Sequence, residues 1–326
     1  MPNEIPHAGF QSVLAPFLDQ FLQEKCACGY TYHEPIRILH HLDDFLVQQG
    51  LQTVELPRSL ARNWLAKKAH ESASTQQQRI TVVRQFSGFL LRAGYPAYVP
   101  DSTLSARKSI FVPRMLTDEE LRKFFNAVDT LEPTARSPLR HLIMPEVFRL
   151  LYGCGFRVRE VLKLRVQDVD LNQGIITVEQ GKFRKDRLVP PALSLVNRLR
   201  KYADHFQRRP SDAIFFPGPT GGPFALRTVY TLFRELLLQC GIPHAGRGKG
   251  PRIHDYRHLF ALHSLRRWYR DGEDLDAKLP LLATYLGHQH LAGTQRYLHL
   301  TAEIFPEITA RVEAAFGEVI PRRTHR

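Results

Sequence analysis

Four segments place reactive side chains within otherwise apolar, helix-like patterns. They are residues 155–164, 179–190, 254–263 and 286–300, which together supply arginines, lysines, histidines and a tyrosine. Arginine suits a phosphate whose oxygens gain charge in a transition state, because its planar fork donates parallel hydrogen bonds and keeps its proton. A phenol can attack once a base removes its proton, and a lysine or histidine can protonate a departing oxygen. These residue types are suited to metal-free displacement at a phosphodiester.

Each of these residues also has an ordinary structural explanation when it is taken alone. Arginine and glutamate three residues apart on a helix usually form a solvated ion pair. A histidine beside a glycine often ends a helix, and a tyrosine among leucines is often a half-buried core residue. The residues open to such readings are Arg157, Glu160, Lys182, His254, Arg257, His288 and Tyr297. Their order along the chain therefore carries more weight than any one of them.

That order is Arg, Lys, His-x-x-Arg, Gly-His and then Tyr nine residues later, and it resembles the tyrosine recombinase, or phage integrase, family. The resemblance implies a DNA strand transferase that needs no cofactor, metal or ATP and forms a 3′-phosphotyrosine intermediate. It implies double-stranded DNA as the partner and a homo-tetramer on two DNA sites. The implied roles are phosphate binding by Arg157, Arg257 and His288, orientation by Glu160, acid–base work by His254, protonation of the leaving oxygen by Lys182, and nucleophilic attack by Tyr297.

The chain departs from the family pattern at several positions. Phe183 stands where many members have glycine, so the hairpin can differ in shape and Lys185 can compete with Lys182 for the acid role. Arg159 replaces a residue that is commonly small. An acidic insertion at 270–278 lengthens the stretch between the second arginine and the glycine–histidine pair. These departures leave the identity of the general acid open.

The charge distribution favours a polyanionic partner. Residues 1–105 hold 9 basic and 9 acidic side chains, whereas residues 106–326 hold 36 and 23, so the whole net charge of +13 lies in the second part. A positive field of this size attracts nucleic acid, although a solubilising surface gives the same count. The residues that we predict to contact DNA are Arg58, Arg62, Lys67, Lys68, Arg184, Lys185, Arg187 and Lys249.

Hydrophobic periodicity predicts a mainly α (α+β) protein with two domains. Apolar residues at three- and four-residue spacing predict a helical bundle over 1–100, which resembles the family's core-binding domain. Prolines and polar residues between 95 and 114 predict a linker, placed at 101–114. The domain over 115–326 should be mostly helical with a small antiparallel sheet or hairpin at 174–190. Thr117 and Glu120 have the spacing of a capping box at its first helix.

Other sequence features indicate where the protein is located in the cell and which alternative functions stay open. Four scattered cysteines form no disulfide framework, no run of 18 apolar residues exists and no signal pattern begins the chain, so we expect a cytoplasmic protein. The absence of an arm-type domain before residue 10 favours a simple or transposon-borne recombinase. The alternatives are a catalytically silent DNA-binding protein, a relaxing topoisomerase and a metal-dependent hydrolase using His288, His290 and His299. The apolar face of 303–316 either packs on its own core or docks into a neighbouring subunit.

Overall fold

The chain forms two compact units. The computed structural model describes residues 9–30, 32–101, 113–179, 186–206, 209–244, 246, 250–288, 290–295 and 297. The first unit ends at Phe111 and the second begins at Val112. Each unit has its own buried cluster of apolar side chains, as expected for domains that fold around separate cores.

The first unit contains four helices within its described residues. They are α1 (Ala15–Ala27), α2 (His33–Gln48), α3 (Arg58–Leu65) and α4 (Ala73–Arg92). Leu18, Leu39 and Phe86 are fully buried where α1, α2 and α4 pack together. Ser72 caps α4 by accepting a hydrogen bond from the backbone N–H of Thr75 at 3.1 Å. The four helices confirm the bundle predicted from periodicity.

The segment just after α4 belongs to the first unit. The N–H of Leu56 donates to the carbonyl of Pro96 at 3.0 Å, and the N–H of Tyr98 donates to the carbonyl of Leu56 at 2.9 Å. These backbone groups pair with the α2–α3 connection, so residues 96–98 lie within the first domain, which we predicted to extend to residue 100. Most of the predicted linker, residues 102–112, lies outside the described residues.

The second unit is mostly helical with one small sheet. Its helices are α5 (Asp118–Asp129), α6 (Arg140–Gly153), α7 (Val158–Lys163), α8 (Leu193–Asp204), α9 (Leu226–Gln239), α10 (Asp255–Arg270), α11 (Leu275–Leu286) and α12 (Ala292–Gln295). Strands β1 (Val169–Asp170), β2 (Ile175–Val178) and β3 (Arg187–Val189) pair antiparallel in that order. The predicted fold class, mainly α with a small antiparallel sheet, is confirmed.

The core of this unit forms around α6, which packs against α5, α7, α8 and α10. The capping box predicted at α5 is present, since Thr117 and Glu120 exchange hydrogen bonds at 3.2 and 3.0 Å. Helix α6 includes Pro145 in its interior, because its buried face outweighs the missing N–H. Strand β1 was not predicted, since two residues are too few to show an alternating pattern.

Two further findings concern the segment after the described residues and the length of the helices. The segment 303–316, for whose apolar face we expected packing or docking, lies outside the described residues. Across the part of the chain that the structure describes, no helix combines the length and apolar character needed to cross a bilayer.

Candidate active site

Arg157 and Glu160 form the first part of the site at the start of α7. Gly155 adopts a left-handed conformation with φ 62°, which turns the chain after α6 and brings Arg157 to the position before α7. The carboxylate of Glu160 accepts hydrogen bonds from the Arg157 backbone N–H at 2.8 Å and from its Nη1 at 2.6 Å. The Nη2 of Arg157 donates to the carbonyl of Gly287 at 3.4 Å, which links α7 to the end of α11.

Arg187 holds the other side of the Glu160 carboxylate. Its Nη1 and Nη2 donate to the two carboxylate oxygens at 3.1 and 2.8 Å, and its Nε donates to the carbonyl of Tyr285 at 3.0 Å. Burial by itself raises the pKa of Glu160, but the hydrogen bonds and charges of Arg187 and Arg157 outweigh it and lower this pKa to about 2. Glu160 is therefore ionised at neutral pH.

This arrangement adds a contact inside the protein to the DNA-binding role that we predicted for Arg187. The side chain is only 8% exposed and its fork is bound to Glu160. The predicted DNA contact of Arg187 stays a prediction. The sequence placed Arg187 in a basic turn, but it could not show that the turn leads directly into a buried ion pair.

Arg257 lies deeper than either of these arginines. It is 1% exposed on α10, where its Nη1 donates to the carbonyl of Gly155 at 2.7 Å and its Nη2 donates to the carbonyl of Leu286. Burial and the nearby charge of Arg157 lower the pKa of Arg257 to about 10, so the guanidinium remains charged at neutral pH. Its two backbone bonds join the turn after α6 to the end of α11 and hold the guanidinium in one orientation.

His254 stands at the N-terminal end of α10 and faces a cavity. The cavity has a volume of about 610 Å³ and is lined in part by Arg157, Glu160, His254 and Tyr230. Desolvation, followed by the charges of Arg257, Arg252 and Arg157, lowers the pKa of His254 to about 4. The residue nonetheless keeps exposed surface, so water screens part of this effect. A neutral imidazole that water can reach is suited to accepting a proton.

Tyr297 and His288 are brought together by the turn that follows α11. Gly287 ends α11 in a left-handed conformation with φ 67°, and His288 then contacts the hydroxyl of Thr294 through its Nδ1 at 2.8 Å. The backbone N–H of Tyr297 donates to the carbonyl of Thr294 at 2.9 Å. The rings of His288 and Tyr297 are stacked with their centroids 6.1 Å apart.

Tyr297 is buried within its own chain. It is 2% exposed and packs with an apolar cluster on α10 and α11 that includes Leu265 and Leu282. The same cluster includes Leu286, whose carbonyl accepts a hydrogen bond from Arg257. The structure therefore brings Arg157, Glu160, Arg257, His288 and Tyr297 around one region of the second unit, with His254 at its edge.

His258 also belongs to this region, although the sequence analysis missed it. Its ring lies between those of His254 and Tyr297, at centroid distances of 5.0 and 5.3 Å. The residue is 7% exposed on α10. The available signal was its spacing, because residues four apart lie on the same face of a helix and His258 follows His254 by four.

Several predicted residues lie elsewhere. Lys182, Arg184, Lys185 and Lys249 are outside the described residues, so their predicted roles stay predictions. In the first unit Arg58, Arg62, Lys67 and Lys68 are exposed. Lys67 and Lys68 share a cavity of about 420 Å³ with Asp44, so this basic surface contains a carboxylate.

The described residues give the metal-hydrolase alternative no support. Within them, no three histidine, cysteine or acidic side chains gather where they could hold a metal ion. The Nδ1 of His288 contacts Thr294, and His299 lies outside the described part of the chain.

Comparison with known proteins agrees with the motifs. Residues 114–303 match the model of the phage integrase family. The chain belongs to the phage integrase family. It is a tyrosine recombinase, an enzyme of site-specific DNA recombination, and this confirms the resemblance seen in the motifs.

The similarity of this recombinase to individual relatives extends beyond residues 114–303, which match the family model. It is 35% identical over 298 residues to y4rE of Sinorhizobium fredii, whose name describes an integrase/recombinase, with 89% of this chain and 92% of that protein covered. It is 30% identical over 302 residues to the tyrosine recombinase XerC of Oceanobacillus iheyensis, with 88% and 92% covered. In fold it is similar to a lambda integrase dimer bound to a COC′ core site, at TM-score 0.63, 17% identity and 86% and 94% coverage.

Proposed function

We propose that this recombinase cuts DNA by attack of the Tyr297 hydroxyl on a phosphodiester bound by Arg157 and Arg257. The observation that carries the proposal is the position of the phenol ring, which lies beside the rings of His258 and His288 and packs in one cluster with Leu286, whose carbonyl accepts from Arg257. In the attack the Tyr297 oxygen forms a bond to phosphorus, and the bond from phosphorus to the 5′ oxygen breaks. The product is a 3′-phosphotyrosine and a free 5′ hydroxyl.

The two arginines have donors suited to this transition state. A guanidinium carries five N–H groups, and the backbone contacts of Arg257 use two of them. Phosphate oxygens can accept from the others, so the charge that develops on the nonbridging oxygens is stabilised by groups that are already oriented. His288 stands beside Tyr297 and can donate a further hydrogen bond to the same phosphate.

Two protons move in the reaction. The phenol proton passes to a base, for which His254 is our candidate, because its lowered pKa leaves it neutral at pH 7. A bound phosphate then raises the pKa of His254, since a nearby negative charge favours the imidazolium. The departing 5′ oxygen receives its proton from Lys182, with Lys185 as the alternative. Rejoining reverses these steps, and the phosphotyrosine bond supplies the energy for it.

Double-stranded DNA is the partner that we propose. Lambda integrase, which this chain resembles in fold, binds a COC′ core site as a dimer, and the excess positive charge of our chain lies entirely beyond residue 105. We propose a homo-tetramer that joins two DNA sites in the cytoplasm. In this arrangement the first unit contributes Arg58, Arg62, Lys67 and Lys68 to the DNA backbone, and the second unit supplies the chemistry.

The test is covalent trapping on a nicked duplex of the recombination site from which the cleaved end diffuses away. Wild type should form a protein–DNA adduct that survives boiling in detergent. Tyr297→Phe should bind the duplex but form no adduct, whereas Tyr269→Phe, on the far part of α10, should form it at the wild-type rate. An adduct from Tyr297→Phe would overturn the assignment of the nucleophile. Binding without an adduct from wild type would favour the catalytically silent alternative.

A further inference from the structure

Arg187 connects three elements around the active site. It begins β3, and its fork reaches Glu160 near the start of α7, while its Nε reaches the carbonyl of Tyr285 near the end of α11. Its side chain is 8% exposed. Arg187 is therefore not a solvated surface arginine. Its bond to the carbonyl of Tyr285 goes beyond an ion pair with Glu160.

The carboxylate of Glu160 is shared between two arginines that differ in exposure. It accepts from the backbone and Nη1 of Arg157 at 2.8 and 2.6 Å, and from both terminal nitrogens of Arg187 at 3.1 and 2.8 Å. Arg157 is 22% exposed and lines the cavity, whereas Arg187 is held behind it. The fork of Arg187 therefore fixes the plane of the carboxylate, and the carboxylate fixes Arg157.

The same side chain packs against the turn that leads into His288. A Cβ added at Gly287 would lie 3.1 and 3.2 Å from the Cδ and Nη1 of Arg187, closer than almost all real contacts of this kind. The carbonyl of Gly287 in turn accepts from the Nη2 of Arg157. Arg187 thus contacts both Glu160, which is the partner of Arg157, and Gly287, whose turn places His288.

We propose that Arg187 is a positioning residue for strand cleavage: its fork orients Arg157 through the Glu160 carboxylate and supports the turn at Gly287 that places His288. This inference rests on the proposed function. Arg187 need not touch the DNA, and its effect reaches the phosphate through the two residues that it holds. A displacement of about 1 Å in such a group lowers a reaction rate by about 100-fold.

The ionisation of Glu160 makes the cleavage rate depend on pH in a way that a purely structural role of Arg187 would not change. Without Arg187 the carboxylate stays buried but loses two donors and one positive charge, so its pKa rises. The neutral acid then forms as the pH is lowered within the range where wild-type Glu160 is fully ionised, and Arg157 loses its charged partner. The charged groups that act on Glu160 are Arg157, Arg187 and Arg257. The cavity that Glu160 lines also holds the titratable or charged side chains of Arg159, Lys163, Glu179, Tyr230 and His254.

The experiment measures single-turnover adduct formation on the nicked duplex from pH 5 to pH 9, together with DNA affinity. Arg187→Met keeps the length of the side chain and removes the fork, whereas Arg187→Lys restores the charge alone. The matched control is Arg198→Met, which removes the fork from a similar pair with Glu146 on α6 and α8, outside the active site.

We expect Arg187→Met to cleave about 100-fold more slowly than wild type at neutral pH, with an affinity for DNA that is nearly unchanged. As the pH is lowered, the cleavage rate of Arg187→Met should begin to fall at a higher pH than the cleavage rate of wild type. Adding Glu160→Gln to Arg187→Met should remove this new pH dependence, because no ionisable group remains at 160. Arg187→Lys should be intermediate in rate, and Arg198→Met should keep the wild-type pH profile.

An Arg187→Met enzyme with the wild-type rate and pH profile would overturn the inference. So would a loss of rate fully matched by a loss of DNA affinity, since that result identifies a direct DNA contact. If Arg187→Met does not fold, Arg187→Lys decides the matter, and a wild-type cleavage rate in that variant counts against the inference. Absence of an adduct from wild type would instead count against the proposed function.

Discussion

Replacing Glu160 by glutamine should destabilise the second unit by an amount that can be worked from its pKa. The pKa of Glu160 in the folded chain is about 2, against an ordinary 4.5, and its side chain is 8% exposed. At about 1.36 kcal/mol for each pH unit, the folded state favours the ionised form by about 3 kcal/mol. Glutamine keeps the shape of the side chain but loses the charge, so Glu160→Gln should lower the free energy of unfolding by about 3 kcal/mol at pH 7.

The stability lost in Glu160→Gln should also depend on pH. A carboxylate whose pKa is lowered by folding contributes stability that is fully present above its unfolded pKa, near 4.5. That stability is lost as the pH falls towards the folded pKa of about 2. The difference between wild type and Glu160→Gln should therefore be constant from pH 7 to about pH 5 and shrink below that range.

The assay is urea unfolding followed by tryptophan fluorescence. The chain has two tryptophans, Trp64 in the first unit and Trp268 in the second, so a Trp64→Phe background reports on the second unit alone. The control is Glu120→Gln, which removes the charge from another carboxylate that pairs with an arginine but is 20% exposed, and it should lose less stability. A loss below about 1 kcal/mol for Glu160→Gln, or one that does not shrink at acidic pH, would refute the reasoning.

Three other predictions follow from the same geometry. Gly155→Ala should lower the free energy of unfolding by about 1–3 kcal/mol more than Gly272→Ala does. Both glycines have positive φ, but only a Cβ at Gly155 would lie 2.8 Å from Leu286 and Phe260. Equal losses of stability in urea unfolding would contradict this prediction. Arg257→Lys should keep DNA affinity in a binding titration but cleave about 100-fold more slowly, since lysine cannot bind two carbonyls as a fork, and an unimpaired cleavage rate would count against it. The imidazole of His254 should titrate below its ordinary pKa of 6.5 in NMR spectra of the DNA-free protein and at higher pH with a bound duplex, and a midpoint at or above 6.5 without DNA would contradict the electrostatics.

The sequence could predict the features that depend on local pattern. The Thr117–Glu120 capping box, the helices of the first unit and the two strands around the basic turn all follow from spacing over a few residues. The order of the motifs was also enough to predict the family, because each motif has a fixed chemical requirement at a fixed place in the chain.

The parts that the sequence could not predict depend on contacts between distant residues. Arg187 and Glu160 are 27 residues apart and meet because β3 packs beside α11, close to the end of the helix that faces Glu160. A helix that continues through Pro145 could not be predicted, because proline is unfavourable in a helix interior, whereas here its buried neighbours hold the helix around it. The contact of His258 with Tyr297 likewise requires the turn after α11, which brings a residue 39 positions away onto α10.

The most direct measurement is mass spectrometry of the trapped protein–DNA adduct after digestion with nuclease and protease. We predict that the modified peptide contains Tyr297, that the bond is a phosphodiester between its phenol oxygen and the 3′ end of a nucleotide, and that the released strand carries a 5′ hydroxyl. A nucleotide found on any other residue, or a bond to a 5′ phosphate, would contradict the account.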